Sequence, residues 1–124
     1  MGFWDIFNPI NSVGASSGNV SNATAAASLA AVVGKTNYVA GFEITASGAT
    51  LAGSVNATLS GIMGGPFSYA FAVPAGATLG AQALVVSFDP PLPATATNTA
   101  ITLSLPALGL GNTNAAVNIR GFAF

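Results

Sequence analysis

The chain has 124 residues, of which only two are cationic and three acidic; it has no histidine and no cysteine and is 4% charged, against about a quarter for an ordinary globular chain. Two cations cannot neutralise a phosphate backbone, so nucleic-acid binding is excluded, and a net charge of −1 gives no long-range steering of a partner. Without cysteine there are no disulfides and no thiolate chemistry, and the length fits one domain.

The first segment, residues 1–13, carries large apolar side chains at high density: Phe3, Trp4, Ile6, Phe7, Ile10 and Val13. Pro9 disrupts a long helix there. No cationic stretch precedes it, so no secretory signal is expected, and Ile6 stands where a myristoylation signal needs Ser or Thr. Residues 14–22 are rich in Gly, Ser and Asn and lack apolar periodicity, as a linker does. The predicted organisation is an arm and linker over residues 1–22 and a β domain over residues 23–124.

Residues 24–33 read two ways. Their alanines favour a helix stopped at Gly34 and Lys35. A strand with Leu29, Ala31 and Val33 on one face, turning directly into the next strand as a hairpin, explains them too and is the reading adopted. Residues 38–45 form the next strand, with Val39 and Gly41 on one face and Tyr38, Ala40, Phe42 and Ile44 on the other. Leu51, Gly53, Val55, Ala57 and Leu59 alternate with small or polar residues, as do Tyr69, Phe71 and Val73. The same period of two runs through Leu84, Val86 and Phe88, then Ile101, Leu103 and Leu105, then Val117 and Ile119. Phe122 and Phe124 fall on the opposite parity, which predicts a bulge at Gly121. Turn residues separate these runs at Ser47 and Gly48, at Gly64 to Pro66, at Pro74 to Gly76 and at Gly109 to Asn112. The proline-rich residues 89–97 are expected to be a crossover. The count is seven strands, or eight if part of the linker pairs. Many short strands with Gly/Pro turns make the fold all-β: an antiparallel β-sandwich, jelly-roll-like, with an extended N-terminal arm.

The chemistry available is sparse. Acid–base catalysis needs converging titratable groups, and the carboxyl side chains are Asp5 in the arm, Glu43 in a strand and Asp89 at a strand end. Glu43 is expected to face solvent or pair with Arg120. A serine nucleophile would have only Lys35 as base, and Lys35 lies in a predicted turn. Gly34, Lys35 and Thr36 resemble the end of a phosphate-binding loop, but the glycine that opens such a loop would fall at Leu29, so the triplet is a turn. Asn112 and Asn114 share a loop that has no carboxylate, so no metal site is expected. Sequons at Asn19, Asn22 and Asn56 match what so many Ser and Thr give by chance. Neither an enzyme nor a cofactor is expected. The arm is the candidate partner-binding element, with Phe3, Trp4, Ile6, Phe7 and Ile10 as aromatic and aliphatic anchors that the linker lets reach a neighbour. The competing reading packs them on their own body. A membrane-surface helix is disfavoured by Asp5, by Pro9 and by the absence of flanking cations.

Several stretches carry a resemblance: Ala31-Val-Val-Gly-Lys35 running into Tyr38-Val-Ala-Gly-Phe-Glu-Ile-Thr-Ala-Ser-Gly48, then Val73-Pro-Ala-Gly76, Pro106-Ala-Leu-Gly109, Gly111-Asn-Thr-Asn114 and Asn118-Ile-Arg-Gly-Phe122. Together they resemble small β-sandwich structural proteins of tailed bacteriophages, including capsid decoration or cement proteins. The opening Met1-Gly-Phe-Trp-Asp-Ile-Phe-Asn-Pro-Ile10 resembles the N-termini of phage virion components. The resemblance implies a structural protein at the capsid surface, bound to the major capsid protein or another virion protein and self-associated, with a trimer favoured by the three-fold sites of icosahedral shells. The alternative it implies is a head-fibre, tail or receptor-binding module. It assigns no functional residue.

Overall fold

A run that alternates one large apolar side chain with one small polar one buries its apolar side only as a strand with one face on a core. The computed structural model describes residues 11–50, 53–73 and 83–124, and within them eight strands form, most of them runs of this kind. They are β1 (Ser12–Ser16), β2 (Ala25–Leu29), β3 (Asn37–Ser47), β4 (Gly53–Ser60), β5 (Phe67–Val73), β6 (Leu84–Pro93), β7 (Ile101–Leu105) and β8 (Asn114–Ala123). Ile101, Leu103 and Leu105 of β7 are buried while Thr102 and Ser104 are half-buried on the other side. Ala57 and Leu59 of β4, Phe71 and Val73 of β5, and Val117 and Ile119 of β8 complete the inward-facing set around Phe42 and Ile44.

The strands make two four-stranded sheets, ordered β1-β8-β3-β6 (sheet I) and β2-β7-β4-β5 (sheet II). All pairings are antiparallel. They nest: β4 with β5, β3 with β6, β2 with β7 and β1 with β8. One long antiparallel ribbon has therefore been wound round the core, and β8 and β7 close the sheets against β3 and β4. That winding is the eight-stranded jelly roll.

Two buried asparagines tie the ends of the sandwich. Asn112 Nδ2 donates to the carbonyls of Ser47 (3.0 Å) and Asn114 (2.9 Å), and its Oδ1 accepts from the Asn22 amide (2.9 Å). The Ser21 hydroxyl donates to the Asn112 carbonyl. One side chain thus joins the β1–β2, β3–β4 and β7–β8 connections. At the other end Asn37 Nδ2 lies within 2.9–3.1 Å of the Leu29, Ala30 and Thr99 carbonyls, joining β2 and the β6–β7 loop to β3. Buried amides with every group paired are the condition under which polar burial is tolerated.

Several expectations change. Residues 12–16, expected in the arm and linker, form β1, the edge strand that pairs Ser12 with Phe122 through Ser16 with Asn118; Val20 also bridges to Ala115. The eight-strand alternative is the one observed. Val13 and Ala15 give β1 an inward face and its backbone satisfies the edge of β8. Residues 24–33 contain a strand, not a helix, but it stops at Leu29 and pairs with β7, not with β3. Ala31 and Val33 are exposed, because the chain crosses from one sheet to the other, where Asn37 holds the end of β2. In β3 the pairing slips between Val39 and Gly41, so Val39 points inward together with Phe42 and Ile44 and the predicted face assignment fails there. The irregularity falls at Ala40 of β3 and not at Gly121: β8 keeps its parity through Gly121 and Ala123. Gly121 is needed for another reason, since a Cβ at that position would collide with the Tyr38 carbonyl. The proline-rich stretch is not a crossover up to residue 93, because Pro90, Pro91 and Pro93 lie in β6. β6 is an edge strand, where a missing N–H breaks no inner ladder.

Candidate interaction surfaces

The residues singled out for partner binding, Phe3, Trp4, Ile6, Phe7 and Ile10, lie outside the described residues, as does Asp5. The remaining charged side chains do not converge on a catalytic arrangement. Arg120 Nη1 and Glu43 Oε2 form an ion pair at 2.5 Å across β8 and β3, with both side chains partly exposed. Asp89 is exposed in β6, and Lys35 is exposed in the β2–β3 loop. Its backbone amide bonds to Val32 and its carbonyl accepts from Asn98, which closes a turn. Among the described residues no three Asp, Glu, His or Cys side chains form a metal-holding group, and no helix is long and apolar enough to cross a membrane.

What the fold assembles is surface. The outer face of sheet II holds one cross-strand row of Ala26, Ser104, Thr58 and Ser68, and a second of Ser28, Thr102 and Ser60. Ser28 and Thr102 hydroxyls bond each other at 2.8 Å. No charged residue occurs in β2, β4, β5 or β7. A partner meeting this face desolvates hydroxyls, methyls and the Asn56 amide but no ion, which is far less costly than desolvating charges. Sheet I differs. Its outer face carries the ion pair and a stack of Tyr38 on Phe124, with ring centroids 5.0 Å apart and planes at 12°.

The side of the sandwich between the edge strands β5 and β6 is aromatic. Buried Phe42 meets Tyr69 edge-on at 5.1 Å and Phe88 at 6.3 Å, so one ring from each sheet closes on it. Burial raises the Tyr69 hydroxyl pKa above the usual 10.0, because the phenolate would lose hydration. Between the two edges runs a shallow groove of about 190 Å³ lined by Ala70, Phe71, Ala72, Ala83 and Leu84. At the Asn112 end, Thr50, Leu108, Gly109 and Leu110 line a cavity of about 270 Å³, with Leu110 standing 79% exposed at its rim. At the Asn37 end, Val33 (84%) and Met63 (60%) project into solvent. Sequence reasoning found the small polar face but not these edges and tips, because edge position follows from strand order, which alternation does not encode.

Comparison of the chain with protein-family models, with curated proteins and with solved structures gave no match.

Proposed function

We propose that this chain is a structural virion protein, a decoration or cement protein that stabilises a phage shell by contacts free of charge. The fold does not choose this role by itself, since jelly rolls also serve lectins and cupins. The observation that carries the reading is the outer face of sheet II: four strands without a charged residue, presenting Ser, Thr, Asn and Ala as a surface that is cheap to cover. The phage assignment comes from the sequence resemblance. In this role each copy spans a seam between major capsid proteins. Because it binds the assembled shell and not the separate subunits, it shifts disassembly by mass action. The aromatic and aliphatic arm residues Phe3, Trp4, Ile6, Phe7 and Ile10 supply the anchor, and copies associate with one another on the capsid surface.

Imaging virions that contain this protein tests the reading. Density for the jelly roll on the outside of the shell, with shells lacking the protein coming apart at lower temperature, is the expected result. Density on a fibre or tail would move the assignment to a receptor-binding module. Absence from virions would end both.

A further inference from the structure

The geometry points to β5 as a self-pairing edge: two copies join β5 to β5 antiparallel about a two-fold axis, fusing their second sheets into one of eight strands. The inference does not rest on the virion reading, and it commits to a two-fold contact where the family resemblance implies a three-fold one.

The four sheet edges are not equivalent. β1 and β2 have five residues each. β6 carries Asp89, Pro90, Pro91 and Pro93, and its pairing with β3 is interrupted. Charge, proline, irregular pairing and shortness are the devices that keep edges from pairing further. β5 has none of them. It is seven residues long, holds seven consecutive pairs with β4 from Gly53–Val73 to Leu59–Phe67, and contains no charge, proline or glycine. Its aromatic and β-branched residues favour strand, and among the described residues no strand pairs with its outer edge.

The sequence of β5 is also complementary to itself. Antiparallel pairing centred on Ala70 sets Phe67 opposite Val73, Ser68 opposite Ala72, Tyr69 opposite Phe71, and Ala70 opposite its own copy. Phe67, Tyr69, Phe71 and Val73 share the inner face, so large apolar residues meet large apolar residues, and two aromatic cross-strand pairs form across the axis. On the outer face Ser68, Ala70 and Ala72 meet only small side chains. A two-fold contact requires the same patch on both partners, and this strand supplies one that matches itself. The half-buried Phe67 and Tyr69 would be covered, and the groove beside Ala70 and Leu84 would border the joint.

The absence of native cysteine makes the test clean. Residues directly opposite in an antiparallel pair have Cα atoms about 4.5–5.5 Å apart, within disulfide range. The full chain should run in solution at twice its 12.1 kDa mass. Ala70→Cys should cross-link to itself under oxidised glutathione. Ser68→Cys and Ala72→Cys should each fail alone but cross-link when mixed, which fixes the register. Ala70→Lys places two like charges together at the axis and should give monomer with an unchanged circular dichroism spectrum; if that variant does not fold, the cysteine set decides. A wild-type monomer at about 100 µM, a trimer, or a dimer in which Ala70→Cys does not cross-link would overturn the pairing. A wild-type monomer would also remove self-association in solution from the proposed function, but none of the three results decides the capsid role itself, which imaging tests separately.

Discussion

Asn112 makes hydrogen bonds to three separate connections from a nearly fully buried position, 3% exposed. Asn112→Ala leaves the Asn22 amide and two carbonyls without their partner, and should destabilise the fold by about 2–3 kcal/mol in denaturant titration. A loss below about 0.5 kcal/mol would mean that water replaces the side chain. Tyr69 gives a pH effect with a definite sign. The unfolded chain releases the tyrosine proton near 10.0, whereas the folded chain holds it to higher pH. The unfolded state therefore binds fewer protons in that range, so stability is intact below about pH 10 and falls as pH rises above it. Tyr69→Phe should flatten that fall in thermal melts taken on either side of pH 10. By contrast, the Glu43–Arg120 pair is half in water, and Glu43→Gln should cost less than about 1 kcal/mol. Sequence reading named this pair and placed Asn112 in a turn. It could not show which loops Asn112 joins, because those partners lie 65 to 90 residues away.

Strands differ in how openly the chain displays them. β4, β5 and β7 are legible because each pairs without a slip and its alternation runs unbroken from end to end. β3 misleads, since one extra residue at Ala40 exchanges the faces half-way along. β1 is nearly silent: Ser12–Ser16 has a single large apolar residue, Val13, and becomes a strand because β8 offers it an edge. β2 is visible as a strand, but its partner is not, for the pairing of Leu29 with Ile101 is a property of the winding. The position of β1 sharpens a truncation experiment. Deleting residues 1–10 should leave the circular dichroism and the melting transition of the body in place. Deleting residues 1–16 removes β1, uncovers β8 and should cost about 1–3 kcal/mol. Equal loss in both would mean that residues 1–10 contribute to the core. The candidate anchors Phe3, Trp4, Ile6, Phe7 and Ile10 were legible only as a dense apolar run, and the shorter truncation is also their binding test.

For the molecule as a whole, the scarcity of charge governs how it meets others. The association proposed through β5, or through the face of sheet II, would bury methyls, rings and hydroxyls, on which salt screening has no purchase. Dimer mass and shell attachment should therefore survive about 1 M NaCl and yield to denaturant. Release by moderate salt alone would show that one of the five charged side chains, Asp5, Lys35, Glu43, Asp89 or Arg120, carries the contact.

The nested pairing also sets an order of events during synthesis. In sheet I the strand that separates β1 from β3 is β8, and in sheet II the strand that separates β2 from β4 is β7. These two strands, the last of the eight in chain order, are thus interior members of the sheets, flanked by strands made well before them. A growing chain can close the β4–β5 hairpin early, yet it must keep β1 and β3 apart until Asn114–Ala123 has left the ribosome. Until then β1 has no partner and the core positions that Val117 and Ile119 fill stay open to water and to other nascent chains, a state that long-range β pairing prolongs. Without β8 the first sheet shrinks to the β3–β6 pair and β1 has no strand to join, so completion of that sheet waits on the last of its strands in chain order.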